Sequence, residues 1–259
     1  MAAERARESE RPDRLFYDSL ARLLAGLDGV ELMARMEAGL PENPTLSIRT
    51  RFFDDTLTRV LSDHPIGQVV MLAAGMDARA FRMTLPTVFE VDHPDLLDVK
   101  NARLDDALAV PLGRRVTVGA DLTGQWADKL VLSGFQVQTP TVFLAEGLLG
   151  YLEEPEVHRF FEALDLLAAF GSFLLTDVSG QSALNDPAFT FWLERMATNG
   201  IIGGCFGTDD PAALLAMHGW DAVVSEYGDP DANFGRWPWP PVDRNDPSAA
   251  RSYLIVGKR

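Results

Sequence analysis

The stretch Ile66–Asp92, IGQVVMLAAGMDARAFRMTLPTVFEVD, decides how this chain folds. An apolar run at 69–72 enters a turn of small residues, Ala73-Ala74-Gly75, and helix-forming residues follow Asp77. A second apolar segment then ends in Glu90-Val91-Asp92. This pattern predicts a strand, a tight turn, a helix and a second strand.

The turn and the acidic end of the second strand indicate a ligand site. Small residues let the backbone approach a ligand, and Gly75 can take a positive φ at little steric cost. Asp92 lies about 20 residues beyond the turn, where a Rossmann-like unit uses an acidic side chain on a ribose hydroxyl. The turn does not match GxGxxG, so a standard NAD site is disfavoured.

Strands and helices alternate along the rest of the core, which predicts a parallel sheet with right-handed crossovers. The predicted strands are 68–73, 87–91, 115–119, 140–145 and 171–177. The predicted helices lie near 77–84, 94–108, 124–133 and 154–169. Two further strands are expected around 222–224 and 253–256.

Composition excludes several classes of partner and site. The chain has 259 residues, which suits one α/β domain, and its net charge of −15 argues against a nucleic-acid partner. It has no apolar stretch of membrane-span length, and its charged N-terminus is no secretion signal. Cys205 is the lone cysteine, so neither an internal disulfide nor a cysteine-rich metal site is expected. We therefore expect a cytoplasmic protein without a metal or a membrane partner, and its oligomeric state stays open.

Five segments, in order along the chain, carry a family resemblance. They are Ser47–Asp55 (SIRTRFFDD), Val69–Met83 (VVMLAAGMDARAFRM), Phe89–Pro94 (FEVDHP), Ala120–Leu122 (ADL) and Phe143–Leu152 (FLAEGLLGYL). Together they resemble the leucine carboxyl methyltransferase family, specifically its bacterial small-molecule O-methyltransferase branch, which uses S-adenosyl-L-methionine (SAM). The resemblance implies a class I methyltransferase fold: a Rossmann-like, seven-stranded, mostly parallel sheet whose last two strands form an antiparallel edge.

The resemblance also implies how the domain is organised. Residues 1–12 are expected to be a disordered tail, and 13–259 a single methyltransferase domain. Helices within 13–62, interrupted at Gly26, Gly29 and the segment PENP, are expected to form a lid over the cofactor. An insertion at 179–211, rich in aromatic residues, is expected on the substrate side.

Two of the implied cofactor residues are charged. Arg49 matches the family arginine that binds the methionine carboxylate; Arg51 competes for this role, and both arginines can instead pair with nearby acids. Asp92 matches the aspartate that accepts the ribose hydroxyls, although an aspartate before Pro94 can also cap a helix. Glu90 is a weaker candidate.

The remaining implied residues follow the third and fourth strands. Asp121 and Leu122 match the adenine site, with Asp121 as a helix N-cap the competing interpretation. Glu146 matches the residue that contacts the SAM amino group, although it could act as a base for a hydroxyl substrate. Tyr151 either reaches the substrate, where it is the candidate catalytic residue, or packs under the helix.

The first turn departs from the family pattern. The family has G-A-G-x-D, whereas this chain has Ala73-Ala74-Gly75-Met76-Asp77. Ala73 and Gly75 are expected to contact the cofactor, and an alanine is tolerated at position 73 if its φ is negative. The departure motivates an alternative function, an enzyme of methyltransferase fold that catalyses a non-methylating step such as a cyclisation or dehydration.

The acceptor site is expected on the insertion. Trp192, Met196 and Phe206 are the predicted wall residues, with Phe189 and Phe191 as further candidates. At this spacing, residues 191–196 could equally form the buried face of an ordinary helix. The function implied is SAM-dependent O-methylation of a small-molecule carboxylate or hydroxyl, in specialised, polyketide-like metabolism.

Overall fold

The computed structural model describes residues 1–201, 206–240, 242–243, 246 and 248–259, without the side chain of Ala188. In this part of the chain seven strands form one sheet in the order β3-β2-β1-β4-β5-β7-β6. The first five strands are parallel, and β7 runs antiparallel to both of its neighbours. The strands are β1 Gln68–Leu72, β2 Thr87–Asp92, β3 Arg115–Gly119, β4 Thr141–Ala145, β5 Phe173–Ser179, β6 Asp221–Glu226 and β7 Ser252–Lys258.

The helices cover both faces of the sheet. Side chains alternate along each strand, so Val70 and Leu72 face one apolar core while Val69 and Met71 face the other. Helices α6, α7 and α10 pack on the first face, and α3 and α4 pack on the second. The helices are α1 Ala2–Glu10, α2 Ala21–Glu37, α3 Thr45–Asp63, α4 Arg79–Arg82, α5 Pro94–Asp106, α6 Trp126–Leu132, α7 Glu154–Leu167, α8 Gln181–Leu184, α9 Pro187–Thr198 and α10 Pro211–Met217, with a 3-10 turn at Leu149–Tyr151.

The predicted fold class is confirmed, because the sheet has seven strands, the first five are parallel, and the last two form an antiparallel edge. The predicted strand 115–119 coincides with β3, and the other strand ends differ by no more than a few residues. None of the described helices is both long and apolar enough to cross a membrane.

The prediction of a disordered tail at residues 1–12 is wrong. Residues 2–10 form α1, in which Ala2 and Ala3 are buried against Ala25 of α2. The charges of this segment suggest a solvated tail, but they have partners within the protein. Glu8, for example, is buried and accepts hydrogen bonds from the Leu15 amide and from Arg236. Distant partners satisfy these charges, and local sequence does not reveal them.

The predicted lid divides into two parts. α2 is kinked at Gly26, whose φ of 62° is a conformation that favours glycine, and it crosses the top of the sheet with α1. α3 instead belongs to the core, because Ile48, Phe53 and Leu57 are fully buried against the sheet. The helices that lie near the carboxyl ends of β1 and β4 are therefore α1 and α2, and their action as a lid stays a prediction.

Candidate active site

The turn after β1 is held by the end of β2. Asp92 Oδ2 accepts a 2.7 Å hydrogen bond from the Gly75 amide, and Asp92 Oδ1 accepts one of 2.7 Å from the His93 amide. Helix α5 has His93 at its N-cap with no side-chain cap bond, so the capping interpretation of Asp92 is wrong. The carboxylate instead shapes the small-residue turn.

Two residues of this turn have left-handed backbone. Gly75 has φ 46°, and Ala73 has φ 54°. The condition under which alanine would be tolerated at position 73, a negative φ, is therefore not met. Alanine in this conformation brings its Cβ close to the carbonyl oxygen that follows, at a cost of about 1–2 kcal/mol.

Replacing Ala73 with glycine is expected to stabilise the protein. Relief of the backbone strain exceeds the extra entropy that glycine gains in the unfolded chain, about 0.5–1 kcal/mol. We expect the melting temperature to rise by roughly 1–4 °C in a thermal denaturation experiment. The matched control is Ala74→Gly, which changes the adjacent buried alanine of the same turn, where φ is not positive. It should lower the melting temperature, and a fall in both variants would contradict strain at Ala73.

A buried charge cluster lies beside the ends of β4 and β5. Arg49 Nε donates to Glu146 Oε1 at 3.1 Å, and its Nη1 donates to Asp177 Oδ2 at 2.8 Å. Burial opposes the charge of Arg49, but Asp177 and Glu146 outweigh it and raise the pKa of the guanidinium. Burial also raises the pKa of Asp177 above its ordinary value, although Arg49 and the Gly147 amide oppose the shift.

A second arginine, Arg79, extends this cluster to the first turn. Its guanidinium is 1% exposed and lies 2.7 Å from Asp54 and 2.9 Å from Glu146, and it also donates to Asp77. Burial opposes the ionisation of Asp77, yet Arg79 and Arg5 hold the pKa of this carboxyl below its usual range. Glu146 is therefore fixed between Arg49 and Arg79, a role that disfavours it as a free base.

The two competing candidates lie away from this cluster. Arg51 pairs with Asp55 at 2.7 Å and donates to the Leu15 carbonyl oxygen. Glu90 is fully buried, with Lys100 at 2.8 Å and Arg115 at 2.7 Å. Arg49 and Asp92 instead contact Glu146 and the first turn at the strand ends, so they are the better matches to the implied roles.

A cavity of about 370 Å³ lies over the carboxyl ends of β1 and β4. Ala73, Ala74 and Glu146 line it from the sheet, and α1 and α2 line it from above. Tyr151, Trp192 and Met196 also line it, as the prediction of a substrate wall requires, and their role toward an acceptor stays a prediction. Six methionines are among the lining residues: Met1, Met33, Met36, Met71, Met76 and Met196.

Ion pairs and hydrogen bonds hold α1 over this cavity. Arg7 forms a two-bond pair with Glu37 at the end of α2. Arg5 pairs with Asp18 at 3.1 Å and donates to the Met76 carbonyl oxygen, next to the first turn. Helix α1 therefore covers the cavity from above, and these ion pairs and hydrogen bonds attach it to α2 and to the first turn.

The implied adenine site lies outside the cavity lining. Asp121 Oδ1 accepts hydrogen bonds from the amide and the hydroxyl of Thr123, at 2.8 and 2.7 Å. These bonds lower the pKa of the exposed Asp121 carboxyl. Helix α6 begins at Trp126 with Gln125 at its N-cap, so Asp121 is not the predicted N-cap. Leu122 packs at the edge of the first core.

Phe206 is not a wall residue. It is buried in the core on the first face of the sheet, together with Leu214 and Trp220. Phe191 is 48% exposed and stacks under Arg195. The insertion thus contributes residues to both the core and the cavity. Sequence spacing alone does not show which residues face the core and which line the cavity. Cys205 lies outside the described residues.

Sequence reasoning missed several residues of this site. Asp177 follows the same strand-end rule that singled out Glu146, since it lies near the carboxyl end of the neighbouring strand β5. Arg79 and Asp77 stand within the matched first-turn segment, but only the fold shows that Arg79 meets Glu146 and Asp54.

Solved structures support the fold. A structure from Thermobifida fusca, provisionally assigned as a methyltransferase, aligns with a TM-score of 0.58 at 18% identity, covering 97% of this chain and 96% of that one. The magnesium protoporphyrin IX methyltransferase of Synechocystis, with bound S-adenosylhomocysteine (SAH), aligns with a TM-score of 0.52 at 11% identity, covering 93% and 99%. At this level of identity the likeness shows the fold alone.

Relatives in sequence show the family. A protein from Parafrankia sp. is 40% identical over 234 residues, covering 83% of this chain and 73% of that protein. A protein from Mycobacterium avium is 34% identical over 279 aligned positions, covering 98% and 87%. Both are provisionally named as SAM-dependent methyltransferases. Residues 1–165 match the leucine carboxyl methyltransferase family. The chain belongs to the leucine carboxyl methyltransferase family, as its motifs predicted.

Proposed function

We propose that this chain is a SAM-dependent O-methyltransferase acting on a small molecule, as a cytoplasmic enzyme of specialised metabolism. One observation carries the proposal: the groups that the family uses for SAM follow four adjacent parallel strands. The turn at 73–75 follows β1, Asp92 ends β2, Asp121 follows β3 and Glu146 follows β4. Ligands of open α/β sheets bind at this carboxyl edge.

The residues present fit such a cofactor. The cavity of about 370 Å³ lies within the range of about 300–1,000 Å³ typical of small-molecule pockets. Arg49 would bind the methionine carboxylate, Glu146 the amino group, Asp92 the ribose, and Asp121 with Leu122 the adenine. When bound, SAM supplies a methyl group on a cationic sulfur.

The closed lid has a consequence for binding. Glu146 and Ala73 line the cavity, whereas Asp92 and Asp121 lie on neighbouring strand ends outside its lining. A ligand that reaches all four residues therefore requires α1 and α2 to shift. Met1 Sδ also lies 3.1 Å from Arg49 Nη2, so the N-terminal segment covers the guanidinium that would receive the methionine carboxylate.

The acceptor side of the cavity is apolar and adaptable. Thioether side chains fill irregular space and adjust to different ligand shapes. Trp192 adds a flat apolar surface at the same wall. Closure by α1 and α2 would exclude water, which favours reaction between an anionic oxygen and a cationic methyl donor. These features support a small, largely apolar acceptor.

The function is tested by titration and hydrogen exchange. We expect SAH to bind in calorimetry and NAD not to bind, because the turn lacks the GxGxxG pattern. Bound SAH should also change amide exchange in α1 and α2, since these helices must move, while exchange in α7 stays unchanged. The absence of binding heat with both SAM and SAH would rule out the proposal and favour the non-methylating alternative.

A further inference from the structure

Arg103 provides a positive charge on the cavity wall that the proposed cofactor contacts do not use. Two arginines line the cavity, Arg5 and Arg103. Arg5 is paired with Asp18 at 3.1 Å. Among the described residues, Arg103 has no carboxylate within ion-pair distance, and its one side-chain hydrogen bond goes from Nη1 to the Leu24 carbonyl oxygen.

The kink in α2 makes room for this guanidinium. A Cβ placed on Gly26 would lie 2.9 Å from Arg103 Nη2 and 3.0 Å from both Cζ and Nη1. Only a residue without a side chain therefore leaves the Arg103 guanidinium in its place against the α2 backbone. Arg103 is half-buried in α5, and one of its five N–H groups is used by Leu24.

The carboxylates on the same wall are already paired. Glu4 lies 3.7 Å from the N-terminal ammonium of Met1, Glu37 is held by Arg7, Asp77 by Arg79, and Glu146 by Arg49 and Arg79. Arg103 is a partly desolvated guanidinium with free donors, and the charged groups around it already have partners. Such a group is a strong site for a carboxylate, which it can bind with two parallel hydrogen bonds.

We propose that Arg103 anchors a carboxylate of the acceptor molecule. The acceptor is then an apolar molecule that carries an anionic group, with its apolar body against the methionines and Trp192. The proposal rests on the proposed methyltransferase function only in naming the bound anion as the methyl acceptor. The methionine carboxylate of the cofactor has the same chemistry, so the experiment must separate the two sources.

The test uses two probes of the same shape, 2-naphthoate and the neutral 2-naphthamide, titrated calorimetrically with and without saturating SAH. We expect the protein to prefer naphthoate by about tenfold to a hundredfold, the effect of hydrogen bonds to a charged group. Arg103→Gln should remove this preference, and Arg103→Lys should keep part of it. The control is Arg159→Gln on α7, an arginine whose side chain is 58% exposed, which should leave the preference unchanged.

Three results would overturn the proposal. One is equal weakening of both probes by Arg103→Gln, which would mean that Arg103 only holds α2 through Leu24. Another is a loss of SAH affinity in that variant with the naphthoate preference intact, which would assign the anchor to the cofactor. The third is no preference for naphthoate, or no binding of either probe at millimolar concentration, in the unmodified protein. SAH binding in the same protein reports separately on the proposed function.

Discussion

Replacing Arg79 with methionine is expected to lower the free energy of unfolding by about 3–5 kcal/mol, the usual cost of removing one partner from a buried ion pair. Arg79 is 1% exposed and contacts Asp54, Asp77 and Glu146. Methionine has a similar length but leaves Asp77 without its nearest cation. Urea denaturation followed by circular dichroism measures the change.

Arg82→Met is the matched control for this prediction. Arg82 contacts Asp54 with two hydrogen bonds, but its side chain is 12% exposed, and Asp54 keeps Arg79 as a partner when Arg82 is removed. We expect a smaller loss of roughly 1.5–3 kcal/mol, because this two-bond pair with a charged group is removed without isolating a carboxylate. Equal losses in the two variants would show that Arg79 is not the central cation of the cluster.

Asp92→Ala is expected to lower SAH affinity by about tenfold to a hundredfold or more, which corresponds to losing hydrogen bonds to a charged group worth roughly 1.5–3 kcal/mol. From sequence, this variant is predicted to leave the fold intact. The bonds from Asp92 to the Gly75 and His93 amides change that expectation, because alanine removes the acceptor that shapes the turn. Calorimetry should therefore report weaker SAH binding, and thermal denaturation should report a lower melting temperature.

Asp92→Asn separates the two roles of this side chain. The asparagine oxygen can still accept from the Gly75 amide, whereas its NH2 group cannot accept from the His93 amide. The turn should therefore be largely kept, and the melting temperature should fall less than in Asp92→Ala. The charge that strengthens bonds to ribose hydroxyls is lost, so SAH affinity should still fall. If Asp92→Asn and Asp92→Ala bind SAH as tightly as the unmodified chain, Asp92 does not contact the ribose.

Local patterns were sufficient to predict the sheet and the strand ends of the site. The first turn, Asp92, Asp121 and Glu146 each follow a strand whose apolar run is visible in the sequence, and parallel strands bring their carboxyl ends to one edge. The same argument brings the candidate residues to one edge without any knowledge of packing between helices, while their roles toward the cofactor come from the family resemblance. This is why the fold and the line of candidate residues were predictable together.

Contacts between distant segments were not predictable in this way. Arg103 meets Leu24 across 79 positions, and Arg236 meets Glu8 across 228. Helical spacing indicates an apolar face for α2, but it does not show which helix lies against that face. The pairing of charges in residues 1–12 and the position of Phe206 in the core depend on such contacts.

The position of β7 determines the order in which the strands of the sheet can pair while the chain is being synthesised. β7 lies between β5 and β6, and in the described part of the chain β6 pairs only with β7. Strands β1 to β5 can assemble once residue 179 has left the ribosome, but β6 at 221–226 has no sheet partner until residues 252–258 emerge. During that interval β5 presents an open edge, the kind of surface that invites pairing with another chain. Nascent chains that stall before residue 252 should therefore be the species most dependent on chaperones.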